Sequence, residues 1–260
     1  MARQRRIRLC VDRVVPFVAK VAAAERSIKE NRNNAPAIDL RPGVSRHPLK
    51  LALETGKLWK RKRIRVKFMD GTVTQKRRVM EHAKSWSEFA GITFAQTRDS
   101  AAEIRVSFEF DTGSWSAVGT DSLATDYFPK REPTMNFGWL TDDTDDTEYR
   151  RVVVHEFGHA LGAIHEHQNP RGGIRWNLPA VYEYFSGPPN NWSKEEIDYN
   201  VVQKYSMDQI NGTRFDRKSI MLYSFPKELV RGGTVLPENS RLSAGDKRFI
   251  AKTYPKRART

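Results

Sequence analysis

Cysteine is almost absent from this chain of 260 residues, in which Cys10 is the only one. A single thiol excludes an intrachain disulfide framework and any zinc finger built on cysteine pairs. Long apolar runs are also lacking, because the longest one, Val14 to Ala24, is too short to span a membrane and contains Lys20. Asp12 and Arg13 beside it do not fit the core of a signal peptide. We therefore expect a protein without a membrane span that is either cytoplasmic or exported by a signal-less route.

Acidic residues are scarce relative to basic ones: 31 Asp and Glu against 45 Lys and Arg give a formal net charge of +14. The basic residues cluster at 3–8, 57–67, 76–78 and 256–259. Such clusters attract nucleic acid or another anionic surface, although a solvated basic surface also explains them. The runs lack interleaved aromatic side chains, and no DNA-binding motif is present. The 38% of hydrophobic residues are enough for a sizeable core.

The apolar pattern divides the chain into an N-terminal extension or pro-like segment (residues 1–47), a main domain (48–255) and a basic tail (256–260). One helix is predicted in the extension, over residues 14–28. In the main domain, alternating apolar residues predict strands at 64–68, 92–95, 104–108 and 134–139. Helical spacing predicts a helix over 79–90, and the apolar residues 152–154 enter another. This order predicts an α+β lobe around one sheet, followed by a lobe of loops and short helices.

Two helix starts are predicted in the second lobe from their capping residues. Ser193 with Glu196 forms one capping box, and Ser243 with Asp246 forms a similar one with the shorter acid. The second of these helices is expected to end before Pro255.

Four of the six histidines lie in one short string, HEFGHALGAIHEH, which begins at His155. On a helix, His155 and His159 are one turn apart on the same face, so both imidazoles can reach one metal ion. Gly162 can adopt a positive φ and turn the chain, which brings His165 to the same ion as a third ligand. Glu156 projects from the same helix, where it can hold a metal-bound water. Three nitrogen ligands with an open fourth position indicate one catalytic zinc ion.

This arrangement predicts a hydrolytic reaction at a carbonyl carbon. The metal lowers the pKa of its bound water, and Glu156 takes the proton as hydroxide attacks and then passes it to the leaving amine. A helix with surface histidines and a glycine cap is the non-catalytic alternative. The fixed offsets of Gly162 and His165 make a chance match rarer than HExxH alone by about three orders of magnitude.

The string HExxHxxGxxH resembles the zinc signature of the metzincin metallopeptidases, in which a methionine turn follows. Residues 219–223, SIMLY, resemble that turn, and Glu166 and Tyr223 match its astacin version, HExxHxxGxxHE plus SxMxY. The chain is similar to astacins and matrixins over about residues 55–255. The resemblance implies a monomeric zinc endopeptidase that acts on polypeptides. It also implies an upper lobe of twisted mixed sheet with two helices (about 48–165) and a smaller, irregular lower lobe (about 166–255) that ends in a helix.

The resemblance assigns roles to single residues as well. Met221 would form an apolar floor beneath the zinc, and Glu166 would have a structural role. Tyr223 would be a switchable zinc ligand that stabilises the oxyanion, and the alternative is a buried tyrosine bonded elsewhere. Residues 113–116 and 119–121 lie where matrixins and astacins place the segment that leads to the edge strand of the sheet, and an edge strand there can bind an extended peptide.

Several features differ from astacins or leave alternatives open. The chain lacks disulfides and the latency sequences of either family, and Leu222 stands where astacins usually have histidine. Cys10 is either a latency ligand that caps the zinc or a structural thiol. The acidic residues between 142 and 148 either bind structural calcium or favour a helix N-terminus through its dipole.

Two other functions remain as alternatives. One is a zinc-binding metzincin-fold protein that associates with nucleic acid or another anionic surface through its basic clusters. The other is a catalytically silent zinc module, against which the intact Glu156 argues.

Overall fold

The computed structural model describes residues 10–13, 15–36, 56–188, 190–204 and 214–256. Within these ranges six strands form one sheet, in the order β1-β5-β6-β4-β2-β3. All neighbouring strands are parallel except β5 and β6, so the sheet is mixed, as predicted. The strands are β1 (Cys10–Arg13), β2 (Arg63–Phe68), β3 (Thr93–Gln96), β4 (Ile104–Ser107), β5 (Ser114–Ala117) and β6 (Met135–Phe137). The predicted boundary at residues 47 and 48, the basic cluster at 3–8 and most of the basic tail lie outside the described residues.

The described residues also form six α-helices, and the α+β prediction is confirmed. They are α1 (Lys20–Glu30), α2 (Val73–Ser87), α3 (Asp146–Ala160), α4 (Leu178–Ser186), α5 (Lys194–Ile197) and α6 (Ala244–Thr253). The predicted caps of α5 and α6, Ser193 and Ser243, are both present. None of the helices in these ranges combines the length and the apolar character that crossing a bilayer requires.

Two helices begin at positions that differ from the prediction. The helix α2 starts six residues before residue 79, because Thr72 and Gln75 form a capping box in which each side chain bonds the other residue's backbone N–H. The helix α1 starts at Lys20 rather than at residue 14. Pro16 explains this shift, since the residue before a proline is disfavoured in the helical conformation.

The core lies between the sheet and the helices α2 and α3, which pack against each other. In β2, Ile64 and Val66 are fully buried, whereas Arg63, the first residue of the strand, is exposed. This alternation is expected for a strand with one covered face. Trp86 of α2 is buried and donates from Nε1 to the backbone carbonyl of Val154 in α3, at 2.8 Å. This bond, together with the burial of the indole, fixes the position of α3 relative to α2.

Residues 15–36 are attached to the main domain largely through buried hydrogen bonds. The hydroxyl of Ser27 donates to the carbonyl of Gly56 at 2.6 Å and lies 2.7 Å from the hydroxyl of Thr120. The side chain of Asn34 bonds both backbone groups of Leu58, at 2.8 and 3.0 Å. Ser27 and Asn34 are both buried. Separating this segment from the domain would leave these groups unpaired or force them into water.

The strand at the edge of the sheet beside residues 113–121 differs from anything that the sequence predicts. The strand β1 occupies that edge, and it pairs in parallel with β5 from Cys10 opposite Ser114 to Arg13 opposite Ala117. The guanidinium carbon of Arg13 lies 4.1 Å from the centre of the Trp115 ring. Pairing between segments a hundred residues apart has no local sequence signature, which explains the difference.

Part of the basic run at 57–67 is neutralised within the fold. Glu103, which is only 1% exposed, pairs with both Arg61 and Arg65. Lys57 pairs with Asp121 at 2.5 Å. These ion pairs give several basic residues of the run a structural role, and association with nucleic acid stays a prediction.

The close approach of α3 to its neighbours yields a first prediction. A Cβ at Gly158 would lie 2.4 Å from the sulfur of Met221 and 2.9 Å from Trp86. We expect Gly158→Ala to lower the free energy of unfolding by about 1–3 kcal/mol, because the core must be overpacked. Urea denaturation measures this change. Gly173→Ala is the matched control, since a Cβ there meets no atom within 4 Å. Equal stability of the two variants would contradict the prediction.

Candidate metal centre

The helix α3 and the turn after it bring together the three histidines of the motif. His155 and His159 are buried on α3, which ends at Ala160. Gly162 has a φ of +92°, a left-handed conformation that glycine adopts without strain. The chain reverses there, and His165 returns to the same point as the two helical histidines.

The ring nitrogens of these histidines converge. Nε2 of His159 lies 3.0 Å from Nε2 of His155 and 3.0 Å from Nε2 of His165. Nδ1 of His155 bonds the carbonyl of Ile220 at 2.8 Å, and Nδ1 of His159 bonds the carbonyl of Ala163 at 2.9 Å. Because a carbonyl only accepts, Nδ1 carries the proton and Nε2 of each neutral ring is left unprotonated.

This donor set fits zinc. Unprotonated nitrogens at this separation repel each other unless a cation lies between them. Tetrahedral zinc with Zn–N distances of about 2.0–2.1 Å separates its nitrogens by about 3.3 Å, close to the spacing here. Burial and the neighbouring His159 and His165 hold the pKa of His155 well below its usual value, which favours the neutral form that binds metal.

The turn at residues 219–223 supports two of the three histidines. The carbonyl of Ile220 holds His155, and the carbonyl of Met221 accepts from the backbone N–H of Glu166, the residue after His165, at 2.9 Å. Met221 is buried, and its sulfur faces α3 at Gly158. The methionine therefore packs beneath the helix that carries the ligands.

Glu156 and Cys10 lie beside this group. Glu156 is fully buried, and one ligand atom each of Cys10, His155 and Glu156 lie within 4.8 Å of one another. Burial and the nearby carboxylate of Glu156 raise the pKa of the Cys10 thiol well above its usual value. The pairing of β1 with β5 brings Cys10 to the histidines, from the other end of the sequence.

Tyr223 lies against the same cluster. Its ring centre is 4.2 Å from that of His165 and 5.4 Å from that of His155. Its hydroxyl donates to the backbone carbonyl of Cys10. A phenol among the histidines therefore already binds a peptide carbonyl in this structure.

Glu166 and His167, which follow the third histidine, bond the lower lobe. Oε1 of Glu166 accepts from the backbone N–H of Asp216 at 2.8 Å, and burial raises the pKa of Glu166 to about 7. Nε2 of His167 lies 2.9 Å from the carbonyl of Asn200. These bonds support the structural role expected of Glu166.

Four acidic residues between 142 and 148 have protein partners, and one of them is Asp142, which accepts from the hydroxyl of Thr72 at 2.6 Å. Asp145 caps α3 by accepting from two backbone N–H groups of its first turn, and Asp146 pairs with Arg150 at 2.9 Å. Glu148 pairs with Arg151 at 2.7 Å. These bonds agree with the helix-capping explanation, and calcium binding stays a prediction.

Sequence reasoning does not identify two neighbours of the site. The sequence predicts Asp246 only as a capping residue of α6. Its carboxylate also accepts from the backbone N–H of Ile220, at 2.9 Å. Arg151 lies one turn before His155, a spacing that signals a shared helix face, and it pairs with Glu238 of the lower lobe at 3.1 Å. Asp246 has no such signal, because its partners are distant in sequence.

A protein-family model and curated proteins match this chain. The family model described as Matrixin matches residues 58–171. The chain is 27% identical over 143 residues to the zinc metalloproteinase nas-27 of Caenorhabditis elegans. The matched region covers 52% of this chain and 30% of that protein. It is also 33% identical over 97 residues to stromelysin-3 of Mus musculus. This second match covers 34% of this chain and 20% of that protein. The chain thus covers at most 30% of the length of these two relatives.

A solved structure matches over more of the chain. The structure of myroilysin is 43% identical, with a TM-score of 0.74, and the match covers 78% of this chain and 97% of that one. Identity and coverage of this size indicate a common family as well as a common fold.

The metal centre generates a second prediction. We expect His159→Gln to lose zinc, because it removes a ligand, with a greater loss of affinity than the roughly 10–100-fold caused by losing an outer-shell partner. Zinc content after dialysis, measured by atomic absorption, checks this. His82→Gln is the control, since His82 bonds Asp146 on α3 at 2.9 Å and is a histidine outside the converging group. Retention of zinc by both variants would refute the assignment.

Proposed function

Because the chain belongs to the metzincin zinc metallopeptidases, we propose that it is a zinc-dependent endopeptidase that hydrolyses extended polypeptides. The observation that carries this proposal is the convergence of three histidine Nε2 atoms beside the buried carboxylate of Glu156. Burying these polar and ionisable side chains costs free energy, and groups of this kind are found mainly at functional sites, where they can catalyse hydrolysis. We further propose that the enzyme acts as a monomer.

The proposed roles follow from the contacts of each side chain. Zinc held by His155, His159 and His165 supplies Lewis acidity, which polarises a carbonyl and lowers the pKa of water. Glu156 accepts the proton of the attacking water on a carboxylate oxygen and returns it to the leaving amine. Tyr223 donates to a peptide carbonyl here, and we propose that it donates likewise to the substrate carbonyl oxygen as charge develops on it.

The strand β5 supports the choice of an extended polypeptide as substrate. It already binds an extended segment of this chain, β1, through backbone pairing. Pairing of this kind depends on the backbone and is largely independent of the side chains of the bound segment. A substrate can reach this edge only after β1 has left it.

We propose that the pro-like segment, residues 1–47, keeps the enzyme latent through its described residues, 10–13 and 15–36. Cys10 lies where its thiol meets Glu156 and His155, and a cysteine thiolate is itself a zinc ligand that excludes water. The carbonyl of the same residue engages the hydroxyl of Tyr223. One residue thus blocks both proposed catalytic groups, and the bonds of Ser27 and Asn34 keep it there.

The role of Glu156 is tested by its nearly isosteric amide. We expect Glu156→Gln to bind zinc as the wild type does and to lower kcat/KM by about 10²–10⁴-fold, because the amide cannot accept the proton. Zinc content and cleavage of a mixed peptide library are measured on the full chain, before and after limited proteolysis. Glu81→Gln, an exposed change on α2, is the control. Turnover retained by Glu156→Gln would exclude this mechanism.

The latency proposal is tested at Cys10. We expect Cys10→Ser to raise the rate of peptide hydrolysis by the intact chain at least about tenfold, the equivalent of about 1.4 kcal/mol, because a hydroxyl is a poor zinc ligand. The double variant Cys10→Ser with Glu156→Gln is the control and should be inactive. An unchanged rate in Cys10→Ser would identify Cys10 as a structural thiol.

A further inference from the structure

The carboxylate of Asp246 joins the helix α6 to the turn that holds His155. Asp246 is the third residue of α6 and is 8% exposed. Its Oδ1 accepts from the hydroxyl of Ser219 at 2.7 Å. Its Oδ2 accepts from the backbone N–H of Ile220 at 2.9 Å and from that of Ser243 at 2.8 Å. One side chain therefore caps its own helix and binds two residues of the turn.

Ile220 transmits this restraint to the histidine. Its N–H is bound by Asp246, and its carbonyl accepts from Nδ1 of His155 at 2.8 Å. Ser219 and Ile220 are buried, so water cannot replace a lost partner without rearrangement. The carbonyl of Ile220 shares its peptide plane with the N–H of Met221, which donates at 3.1 Å to the Ser219 hydroxyl that Asp246 binds. The bonds of Asp246 therefore restrain the peptide planes on both sides of Ile220 and hence the direction of its carbonyl.

Capping of α6 does not account for all of these bonds. The cap itself needs the bond from the N–H of Ser243 to Asp246 and the bond from the N–H of Asp246 to the Ser243 hydroxyl, at 2.9 Å. The bonds to Ser219 and Ile220 add nothing to the helix end. They act only on the turn beneath the metal centre.

We propose that Asp246 is a positioning residue for the metal ligand His155 and acts through the carbonyl of Ile220. The inference rests on the zinc site proposed above. Outer-shell partners that fix the ring orientation and the tautomer of a ligating histidine change metal affinity by about 10–100-fold. Asp246 therefore tunes metal affinity from the C-terminal helix without being a ligand.

Two kinds of variant separate this role from helix capping. Asp246→Gln retains a cap, because glutamine is a usual residue at this helix position, but its longer side chain displaces the acceptor from Ile220. Ser243→Ala removes the cap hydroxyl and leaves both bonds from Asp246 to the turn. Asp246→Ala removes the cap and the turn bonds together.

The measurement is the zinc dissociation constant of the full chain by competition with a chromogenic chelator, together with the visible spectrum of the cobalt-substituted protein. We expect both Asp246 variants to bind zinc about 10–100-fold more weakly and to shift the cobalt spectrum. Ser243→Ala should lower the midpoint of urea unfolding but leave both metal readouts as in the wild type.

The outcomes distinguish this inference from the proposed function. Wild-type affinity in the folded Asp246→Gln variant, or equal weakening by Ser243→Ala, overturns the positioning role alone. Zinc binding by the wild type without peptide hydrolysis before or after limited proteolysis overturns the proposed activity alone. A wild-type chain that binds no zinc overturns both.

Discussion

Nε2 of His159 lies 3.0 Å from Nε2 of His155 and 3.0 Å from Nε2 of His165, and the surrounding structure imposes this spacing, which a cation between the nitrogens would stabilise. Nδ1 of His155 donates to the backbone carbonyl of Ile220, and Nδ1 of His159 donates to that of Ala163. Both carbonyls follow α3 in sequence, so the helix alone does not make the site. Trp86 sets the position of α3 relative to α2, and the absence of a side chain at Gly158 admits the methionine turn.

The features that the sequence predicts are those that depend on neighbouring residues. The spacing of His155 and His159, the turn at Gly162 and the cap at Ser193 all follow from local chemistry. The cap at Thr72 is also local, but the apolar spacing that predicts α2 does not reach it. Val73 at the start of the helix is 84% exposed and so does not belong to the buried face. Periodicity locates the buried turns of a helix better than its ends.

The features that the sequence does not predict depend on pairing between distant segments. Nothing near Cys10 indicates that it pairs with β5, and nothing near Asp246 indicates that it binds the turn at Ile220. The family resemblance identifies Met221 and Tyr223, whose position relative to the histidines is a property of the fold. It does not indicate that the tyrosine hydroxyl bonds Cys10.

The N-terminal segment is bound in a way that suits its removal. Cys10 packs in the main core, whereas Val15 and Ala23 meet Trp115 and Phe128 in a small apolar cluster apart from it. Most of its other contacts are hydrogen bonds and ion pairs, such as that between Glu30 and Arg61. Polar groups regain bonds to water when they separate, whereas apolar surface does not. The main core between the sheet, α2 and α3 is therefore largely independent of this segment.

The contacts at the end of α3 also have a consequence for biosynthesis. The hydroxyl of Tyr254 donates to the carbonyl of Leu161 at 2.8 Å and accepts from the backbone N–H of Trp59, across 195 residues of sequence. Contacts of such long range form late in folding, because the intervening chain must be ordered first. A nascent chain on the ribosome carries all three histidines long before Asp246 and Tyr254 have been synthesised. The bonds of Asp246 to Ile220 and of Tyr254 to Leu161 therefore form only after α6 has been synthesised, well after the three histidines.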